Sequence, residues 1–260
     1  MSLDEPTDLV KQQTLTRDAF LGGRITLTQP EHGFRAGLDS VLLGAAVAEG
    51  SHTLLDLGAG VGTAALVALT DIPALTATLV EADPGMLVLA GLNAAGNGMG
   101  DRTKLVGGDL TAPGRVRVAA GLPSDHFTSV IANPPFFDPT RGSAPSPARA
   151  DARHMDEAAL DNWVKTAATH AAPDGEVIFI HTAEALPVLL AAFIRRFGAV
   201  KVLPLLPREQ QPASRILVRG IKGSRAPFQL LAARALHEAD GRAFRPEFDA
   251  IFRGTARLIW

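Results

Sequence analysis

A glycine-rich segment stands where a short apolar run meets a helical pattern. It consists of Asp56-Leu57-Gly58-Ala59-Gly60-Val61-Gly62, between a buried strand predicted over Thr53–Leu57 and a helix predicted over Val61–Leu69. Glycines let the backbone turn sharply and let a ligand approach the main chain, while a helix N-terminus offers unpaired N–H groups. The segment therefore predicts a loop that binds a nucleotide-type cofactor. The candidate contacts are Asp56, Gly58, Gly60 and Gly62.

The spacing of this loop differs from that of a dinucleotide-binding loop. A G-x-G-x-x-G pattern would place its third glycine where Thr63 stands, and here that glycine comes one position early. The acidic Asp56 also suits a positively charged ligand group better than a pyrophosphate. A nicotinamide-dependent oxidoreductase on a similar sheet stays as an alternative, but a disfavoured one.

Two further acids follow the next two predicted strands. Glu81 comes 19 residues after Gly62, at the end of a strand predicted over Ala74–Val80. A carboxylate in that place can accept both hydroxyls of a ribose. Asp109 stands in Gly108-Asp109-Leu110, after a short strand predicted over Lys104–Val106. The glycine loop and both acids are therefore expected to line one ligand site.

The fourth predicted strand, Phe127–Ala132, ends in Asn133-Pro134-Pro135-Phe136-Phe137. Prolines have no N–H to donate, so the carbonyls here are fixed in direction and available as acceptors. A planar amino group between the Asn133 amide oxygen and the Pro134 carbonyl would have both hydrogens bonded, which concentrates electron density on its nitrogen. Phe136 offers a face on which a heteroaromatic ring can stack. Asn133, Pro134 and Phe136 are therefore the candidate catalytic residues.

Both motifs together resemble those of a known family. The D-x-G-x-G-x-G form of residues 56–62 resembles motif I of class I methyltransferases, which bind S-adenosylmethionine. With Asn133-Pro134-Pro135-Phe136 added, the chain resembles the amino methyltransferases that modify planar NH2 groups of adenine or glutamine. A closer resemblance, over about residues 29–241, is to the bacterial tRNA(Val) adenine-N6 methyltransferases. It implies S-adenosylmethionine as cofactor and Asp109, with Leu110 beside it, at the cofactor's adenine amine; Asn133 also borders the cofactor.

An upstream segment extends the resemblance. Gly33-Phe34-Arg35, followed by Asp39-Ser40-Val41-Leu42-Leu43, looks like that family's motif before the glycine loop. In the family this motif lines the methionine end of the cofactor, which implies contacts from Phe34, Arg35 and Asp39. The chain departs from the family pattern at Phe136, where tyrosine is frequent, and at Met155-Asp156 after Arg153-His154. The second departure leaves the identity of the substrate open.

Charge is distributed unevenly along the chain. Residues 1–194 carry 12 Lys and Arg against 22 Asp and Glu, whereas residues 195–260 carry 13 against 5. A basic C-terminal quarter on an acidic body predicts a polyanion partner. We therefore expect an RNA substrate, above all tRNA, with the target adenine unstacked and seated at Asn133. The expected substrate contacts are Pro135, Phe137, Arg141, Arg149, Arg153, Lys222 and Arg225, with Arg215 and Arg219 as further candidates.

Composition excludes several other classes of protein. Without cysteine the chain has no disulfide, thiolate nucleophile or cysteine-ligated zinc, and its seven histidines show no metal-binding spacing. We therefore expect no metal site. The acidic N-terminus lacks the features of a signal peptide, and no apolar run approaches the roughly 20 residues of a membrane span. We expect a cytoplasmic protein that does not bind membranes.

The alternation of strands and helices predicts an α/β fold. We expect the Rossmann-like class I methyltransferase fold, with a seven-stranded, mostly parallel sheet, helices on both faces and an antiparallel C-terminal hairpin. The remaining predicted elements are helices at Ala158–Ala172 and Leu186–Phe197 and strands at Glu176–Ile180, Val200–Leu206 and Arg215–Ile221. We further expect an N-terminal extension over 1–50 that carries the upstream cofactor motif. The catalytic domain spans 51–260 and includes a mobile substrate loop at 138–153 and the basic C-terminal region.

These features predict an S-adenosylmethionine-dependent adenine-N6 methyltransferase that acts on structured RNA. A protein glutamine-N5 methyltransferase, with the same chemistry on another amide, stays as the alternative. Against it, release-factor enzymes carry a sizeable helical domain before the glycine loop, whereas 55 residues precede Asp56 here. The basic C-terminal region also favours RNA.

Overall fold

The structure, a computed structural model, describes most of the chain. The described residues are 14–32, 35–110, 112–135 and 148–260, and for 148–157 only the backbone is described. Several predicted residues lie outside this part of the chain. They are Phe34, Phe136, Phe137, Arg141, the side chains of Arg149 and Arg153, and residues 138–147 of the predicted substrate loop.

Strands and helices alternate along most of the described chain. In chain order the elements are β1 (Leu15–Phe20), β2 (Ile25–Pro30), α1 (Leu38–Ala45), β3 (Thr53–Leu57), α2 (Thr63–Asp71), β4 (Thr76–Glu81), α3 (Pro84–Gly96), β5 (Thr103–Gly107), α4 (Gly114–Ala119), β6 (Phe127–Ala132), α5 (Ala148–His170), β7 (Ala171–Thr182), α6 (Leu186–Ile194), β8 (Phe197–Leu206), β9 (Arg215–Lys222), β10 (Gln229–Leu230), β11 (Arg234–Ala235) and α7 (Pro246–Phe252).

Seven strands form the central sheet in the order β5-β4-β3-β6-β7-β9-β8. The first five are parallel, and β9 runs antiparallel to both β7 and β8. This confirms the predicted fold, with its mostly parallel sheet and antiparallel hairpin. The short strands β10 and β11 add to β8 beyond that prediction. Hydrophobic cores cover both faces of the sheet, which explains why its central strands are almost continuously apolar.

The carboxyl ends of the parallel strands place the predicted site residues at one edge of the sheet. The chain order reverses between β3 and β6, and in open α/β sheets ligands bind in the crevice at such a point. Gly58 directly follows β3, and Asn133 directly follows β6 beside it. On the other side of β3, Glu81 ends β4. The topology therefore brings the glycine loop, the ribose acid and the Asn-Pro-Pro segment to one crevice.

The hairpin β1–β2 precedes the central sheet, and two asparagines attach it to α3. Asn93 lies in α3 and Asn97 directly follows its last residue, and each side chain bonds both backbone groups of a residue in β2. Asn93 pairs with Thr28 at 2.7 and 3.0 Å, and Asn97 pairs with Thr26 at 2.9 and 2.8 Å. The amides thus replace a neighbouring strand at this edge of the hairpin. Sequence reasoning did not predict this hairpin.

Some predicted boundaries are wrong. Helix α5 begins at Ala148 and not at 158, so 148–153 of the predicted loop are helical. Residues 148–160 contain many strong helix formers, Ala, Arg, Glu and Met, and this propensity extends the helix. Strand β7 begins at residue 171, although the preceding helix was predicted to continue to residue 172. Strand β8 likewise begins at Phe197, a residue that was assigned to the preceding helix.

The residues that the structure describes contain neither membrane-spanning helices nor metal-binding groups. None of their helices is both long enough and apolar enough to pass through a membrane. In the same part of the chain no group of three or more His, Asp or Glu side chains is arranged to hold a metal ion.

Candidate active site

The glycine loop curls back at the end of β3. Gly58, Gly60 and Gly62 have φ angles of +67°, +55° and +87°, in the left-handed region that side chains with a Cβ rarely adopt. The turn is closed by a hydrogen bond from the Gly62 N–H to the Ala59 carbonyl at 2.8 Å, and Ala59 N–H donates to the Val80 carbonyl of β4 at 3.0 Å. Glycine at these three positions therefore allows a backbone conformation that would strain a residue with a Cβ.

A cavity of about 340 Å³ opens in front of this loop. Its polar wall comes from the ends of four neighbouring strands, and its apolar wall offers a surface for a flat ring system. The polar or glycine residues are Gly58, Gly60, Glu81, Asp83, Gly108, Asp109 and Asn133, and the apolar ones are Val80, Ala82, Met86, Leu110, Pro135 and Trp163. The structure thus brings to one cavity seven of the predicted site residues: Gly58, Gly60, Glu81, Asp109, Leu110, Pro135 and Asn133.

Glu81 connects the glycine loop to the start of α3. Its Oε2 accepts the Gly60 N–H at 2.9 Å, while its Oε1 accepts the N–H groups of Ala82 and Asp83 at 2.8 and 2.9 Å. The two carboxylate oxygens have about four lone-pair sites between them, and these three bonds leave one site, on Oε2, that can still accept a ligand hydroxyl. The same side chain therefore holds the loop in shape and presents an acceptor to the cavity.

Two side chains hold the loop that carries Asp109 and Leu110 in place. The Leu110 carbonyl accepts from Arg117 Nη1 at 3.2 Å and from Thr166 Oγ1 at 3.1 Å. Arg117 Nε in turn donates to Nε2 of the buried His170 at 3.2 Å. Burial lowers the pKa of His170, which keeps the imidazole neutral and able to accept. Arg117 and Thr166, both missed by sequence reasoning, therefore fix one wall of the cavity.

Asp56 and Gly62, the first and last residues of the glycine-rich segment, do not line the cavity. Asp56 is 3% exposed, and its Oδ2 accepts the Ala65 N–H at 3.2 Å. Burial, together with the nearby negative charge of Glu81, raises the pKa of Asp56 to about 7. Gly62 directly precedes α2, and a methyl group at its Cα would lie 3.0 Å from a Leu79 side-chain carbon. The structure gives both residues supporting positions, so a direct contact with a cofactor stays a prediction.

Asn133 is placed by β6 with its amide oxygen buried. Among the described residues that oxygen accepts no hydrogen bond. A buried acceptor without a partner costs roughly 1–3 kcal/mol, so the site gains when a donor arrives. The adjoining Pro134 is buried and Pro135 is exposed. A role of this segment in receiving an N–H donor stays a prediction.

Trp163 of α5 was not predicted as part of the site. Its six-membered ring lies so close to the glycine loop that a methyl group at the Cα of Gly58 would meet Cη2 at 2.5 Å. Gly58 is therefore required both for its left-handed φ and for this close approach. A tryptophan at helical spacing within an apolar pattern is indistinguishable from a core residue, so the sequence carries no signal for this position.

A second cavity, of about 320 Å³, lies beside the first and shares Asn133 with it. Its other walls include Arg35, Asp39, Ser40 and Arg215. Arg215 Nε pairs with Asp39 Oδ2 at 2.8 Å, and both side chains are partly exposed. Arg35 is likewise paired, to Asp18 at 2.8 Å. The structure thus brings Arg35 and Asp39 to Asn133 but not to the wall of the first cavity.

Lys222 and Arg225 are not brought to these cavities. Arg215 lies opposite Thr182 at the edge that holds the site, whereas Ile221 lies opposite Glu176. Six residues of strand separate the two positions, about 20 Å. Lys222 Nζ is also occupied at that far edge, by Asp125 at 2.5 Å and by the carbonyls of residues 168 and 171 at 2.6 and 2.8 Å. A role for Lys222 and Arg225 in binding substrate therefore stays a prediction, and it concerns a surface that is remote from Asn133.

Arg219, the further candidate on the same strand, makes its contacts within the fold. It pairs at 2.8 Å with Glu176, which is 3% exposed, and its guanidinium lies 5.6 Å from the ring centre of Trp260. This arginine neutralises a buried carboxylate. Its charge is consequently not part of an open basic surface.

Comparisons with known proteins agree with this architecture. A tRNA1(Val) (adenine(37)-N6)-methyltransferase of Shewanella amazonensis is 34% identical over 144 residues, which are 55% of this chain and 58% of that protein. One of Porphyromonas gingivalis is 30% identical over 168 residues, 63% of this chain and 64% of that protein. The chain thus matches less than two thirds of the length of these relatives.

A solved structure resembles most of this chain. The crystal structure of a predicted O-methyltransferase of Agrobacterium tumefaciens superposes with a TM-score of 0.72 at 28% identity, and covers 85% of this chain and 98% of that one. The sequence matches and this structure confirm the resemblance inferred from the glycine loop and the Asn-Pro-Pro segment. The family model of the methyltransferase small domain matches residues 38–203, and the chain therefore belongs to that family.

Proposed function

We propose that the protein transfers a methyl group from S-adenosylmethionine to the exocyclic N6 of an adenine in RNA, in particular tRNA. The observation that carries this proposal is the buried amide oxygen of Asn133, which accepts no hydrogen bond among the described residues. It borders both the cavity at the glycine loop and the second cavity. An N–H donor seated there would lie between a cofactor on one side and solvent access on the other.

The first cavity fits the proposed cofactor. When bound, S-adenosylmethionine supplies a methyl group on a positively charged sulfur. Glu81 would accept a hydroxyl of the ribose through Oε2, and Asp109 would accept a hydrogen bond from the amine of the adenine, with Met86 and Leu110 against its ring. The glycine loop lets the ligand approach the backbone of Gly58 and Gly60.

The Asn-Pro-Pro segment fits a planar amino group as acceptor of the methyl. The Asn133 oxygen and the Pro134 carbonyl would each accept one hydrogen of the amine, which directs the nitrogen lone pair out of the plane of the ring. This orientation would present the amine nitrogen to the methyl group that the bound cofactor supplies. The surplus proton of the methylated amine would pass to water, so these residues position the amine and no strong base is needed.

RNA is the acceptor that the relatives favour. The relatives from Shewanella and Porphyromonas are named for adenine 37 of tRNA1(Val). A side-chain glutamine amide could also bond to Asn133, because it presents the same planar NH2 group. The names of these relatives nevertheless favour an adenine in RNA over a glutamine side chain.

Label transfer from the cofactor tests the proposal. The purified protein is incubated with methyl-labelled S-adenosylmethionine and with total RNA or total protein from cells that lack this gene. We expect label in RNA, concentrated in the tRNA fraction, that ribonuclease removes and protease does not. Label in protein alone would contradict the proposal and favour the glutamine alternative. In a parallel control, S-adenosylhomocysteine should raise the melting temperature and NAD should not.

A further inference from the structure

The two cavities meet at Asn133, which lines both of them. In the proposed arrangement, with the adenine at Asp109 and the ribose at Glu81, the methionine end of the cofactor extends past Asn133 into the second cavity. This end is a zwitterion with one carboxylate and one ammonium group. The second cavity presents a cation and an anion to it, Arg35 and Asp39. Its charges therefore match those of an amino acid.

Arg35 keeps one edge of its guanidinium for a ligand. Of the five N–H groups, Nη1 donates to Thr16 Oγ1 at 2.9 Å and to the Pro30 carbonyl at 2.8 Å, while Nη2 donates to Asp18 Oδ2 at 2.8 Å. Among the described residues nothing accepts from Nε or from the second N–H of Nη2. These two nitrogens share one edge, and such an edge forms two parallel hydrogen bonds with a carboxylate. Arg35 can therefore bind a ligand carboxylate without losing a present contact.

The hairpin β1–β2 fixes this arginine through Asp18. Its Oδ2 accepts hydrogen bonds from Gln29 Nε2 at 2.9 Å, from Thr16 Oγ1 at 2.8 Å and from Arg35 Nη2 at 2.8 Å. Hydrogen bonds from Gln29 and Thr16 lower the pKa of Asp18, so the carboxylate stays charged. Gln29 is buried, and its Oε1 accepts the Ala36 N–H at 2.9 Å. The hairpin thus holds both the side chain of Arg35 and the backbone next to it.

We propose that Asp18 is a positioning residue for the cofactor, which holds the free edge of Arg35 toward the carboxylate at the methionine end. The hairpin is then part of the cofactor site, although none of residues 15–30 lines either cavity. This inference rests on the proposed function for the identity of the cofactor, and it does not depend on which acceptor is methylated.

Asp18 acts on the binding of a carboxylate in two opposite ways. Its negative charge competes with the ligand for Arg35, but the two side chains are 36% and 33% exposed, and water weakens such a competition. Its hydrogen bond also orders the arginine before the ligand arrives, whereas a mobile arginine loses its freedom on binding. Water does not screen this second effect. Removal of the charge of Asp18 should therefore weaken the binding of the carboxylate.

Two ligands that differ by one carboxylate test the inference without any methyl transfer. They are S-adenosylhomocysteine and its decarboxylated derivative, which keeps the amine, and calorimetry measures the affinity of each. We expect the wild type to bind S-adenosylhomocysteine at least about tenfold more tightly, because charge-assisted bonds are added. Asp18→Asn should reduce this preference to about threefold or less, with the affinity for the derivative within about twofold of the wild type. Arg35→Lys should reduce the preference likewise, because an ammonium group keeps the charge and lacks the fork.

The matched control is Asp161→Asn. Asp161 is also partly exposed and paired with an arginine, Arg196, at 2.8 Å, but it belongs to α5 and lines neither cavity. This variant should keep the full preference. Melting temperatures show that each variant is folded. Thr16→Val serves if Asp18→Asn is not folded, because it removes one acceptor of Arg35 without a change of charge, and it should lower the preference by about threefold.

Three outcomes would overturn the inference. In the first, the wild type binds both ligands equally. In the second, Asp18→Asn or Arg35→Lys keeps or increases the preference, so that Asp18 merely competes for the arginine or the fork is not used. In the third, Asp18→Asn weakens both ligands by the same factor, so that the hairpin supports the fold and not the carboxylate. A wild-type protein that binds neither ligand would instead contradict the proposed function.

Discussion

The backbone N–H of Gly60 donates to Oε2 of Glu81 at 2.9 Å, across the gap between the ends of β3 and β4. The acid expected to bind the ribose is thus also the residue that holds the glycine loop in place. Shape and ligand affinity at this site therefore depend on one carboxylate. A change at Glu81 disturbs both, whereas the amide oxygen of Asn133 accepts no hydrogen bond among the described residues, so a change there removes no bond to the glycine loop.

Replacement of Glu81 by glutamine should weaken cofactor binding. Both oxygens of Glu81 accept backbone N–H groups, so either orientation of the amide places an NH2 group against a donor. Charge-assisted bonds of this kind contribute roughly 1.5–3 kcal/mol each. We expect calorimetry to show at least a tenfold loss of affinity for S-adenosylhomocysteine. Glu49→Gln, at an exposed site, should bind as the wild type does, and equal affinity of Glu81→Gln would refute the role of this carboxylate.

Asp56 should make stability depend on pH. Its pKa is about 7 in the folded chain, above the ordinary 3.8, so between these values the folded state holds a proton that the unfolded state has released. The free energy of unfolding should therefore fall as pH rises from about 4 to 7 and level off above that range. At 1.36 kcal/mol per pH unit, this one group should lower the free energy of unfolding by on the order of 4 kcal/mol over that range.

Chemical denaturation of Asp56→Asn between pH 4 and pH 8 measures this contribution. Asparagine keeps an acceptor for the Ala65 N–H and carries no charge. The variant should exceed the wild type in stability at pH 8, and the difference should shrink toward pH 4. Asp101→Asn, at an exposed site, is the control and should follow the wild type at every pH. If the Asp56 variant shows the same pH dependence as the wild type, the carboxylate is not protonated in the fold.

Lys222 should contribute to stability and not to binding near Asn133. Its ammonium holds Asp125 and two carbonyls at the edge of the sheet remote from the site. Lys222→Ala should lower the free energy of unfolding by about 1–3 kcal/mol and leave the KM for RNA within twofold of the wild type. Lys165→Ala, an exposed lysine on α5, should change neither quantity. A raised KM without a loss of stability would show that RNA extends to this edge.

The sequence predicted the strands at the site because their signals are local. Thr53–Leu57 and Phe127–Ala132 are apolar runs followed at once by Gly58 and Asn133, so the strand and its site residue are adjacent in the chain. The Rossmann-like topology then follows, because alternation with helices leaves few ways to cover both faces of a parallel sheet.

Contacts between distant segments could not be predicted in the same way. Asp39 and Arg215 are 176 residues apart, and Asn93 pairs with Thr28 over 65 residues. Counts of charged residues along the sequence also do not show which charges form ion pairs in the fold. Lys222 and Arg219 counted toward a basic C-terminal quarter, but in the structure each neutralises a carboxylate.

The central claim is that an adenine amine held at Asn133 receives the methyl group, and analysis of the methylated nucleoside tests it most directly. Unmodified tRNA is incubated with S-adenosylmethionine and with either wild-type protein or Asn133→Ala, then digested to nucleosides and analysed by mass spectrometry. We predict N6-methyladenosine from the wild type and at least a hundredfold less from Asn133→Ala, while calorimetry shows equal affinity for S-adenosylhomocysteine. A methyl group on another atom, or an Asn133 variant that loses cofactor binding in parallel with activity, would contradict the account.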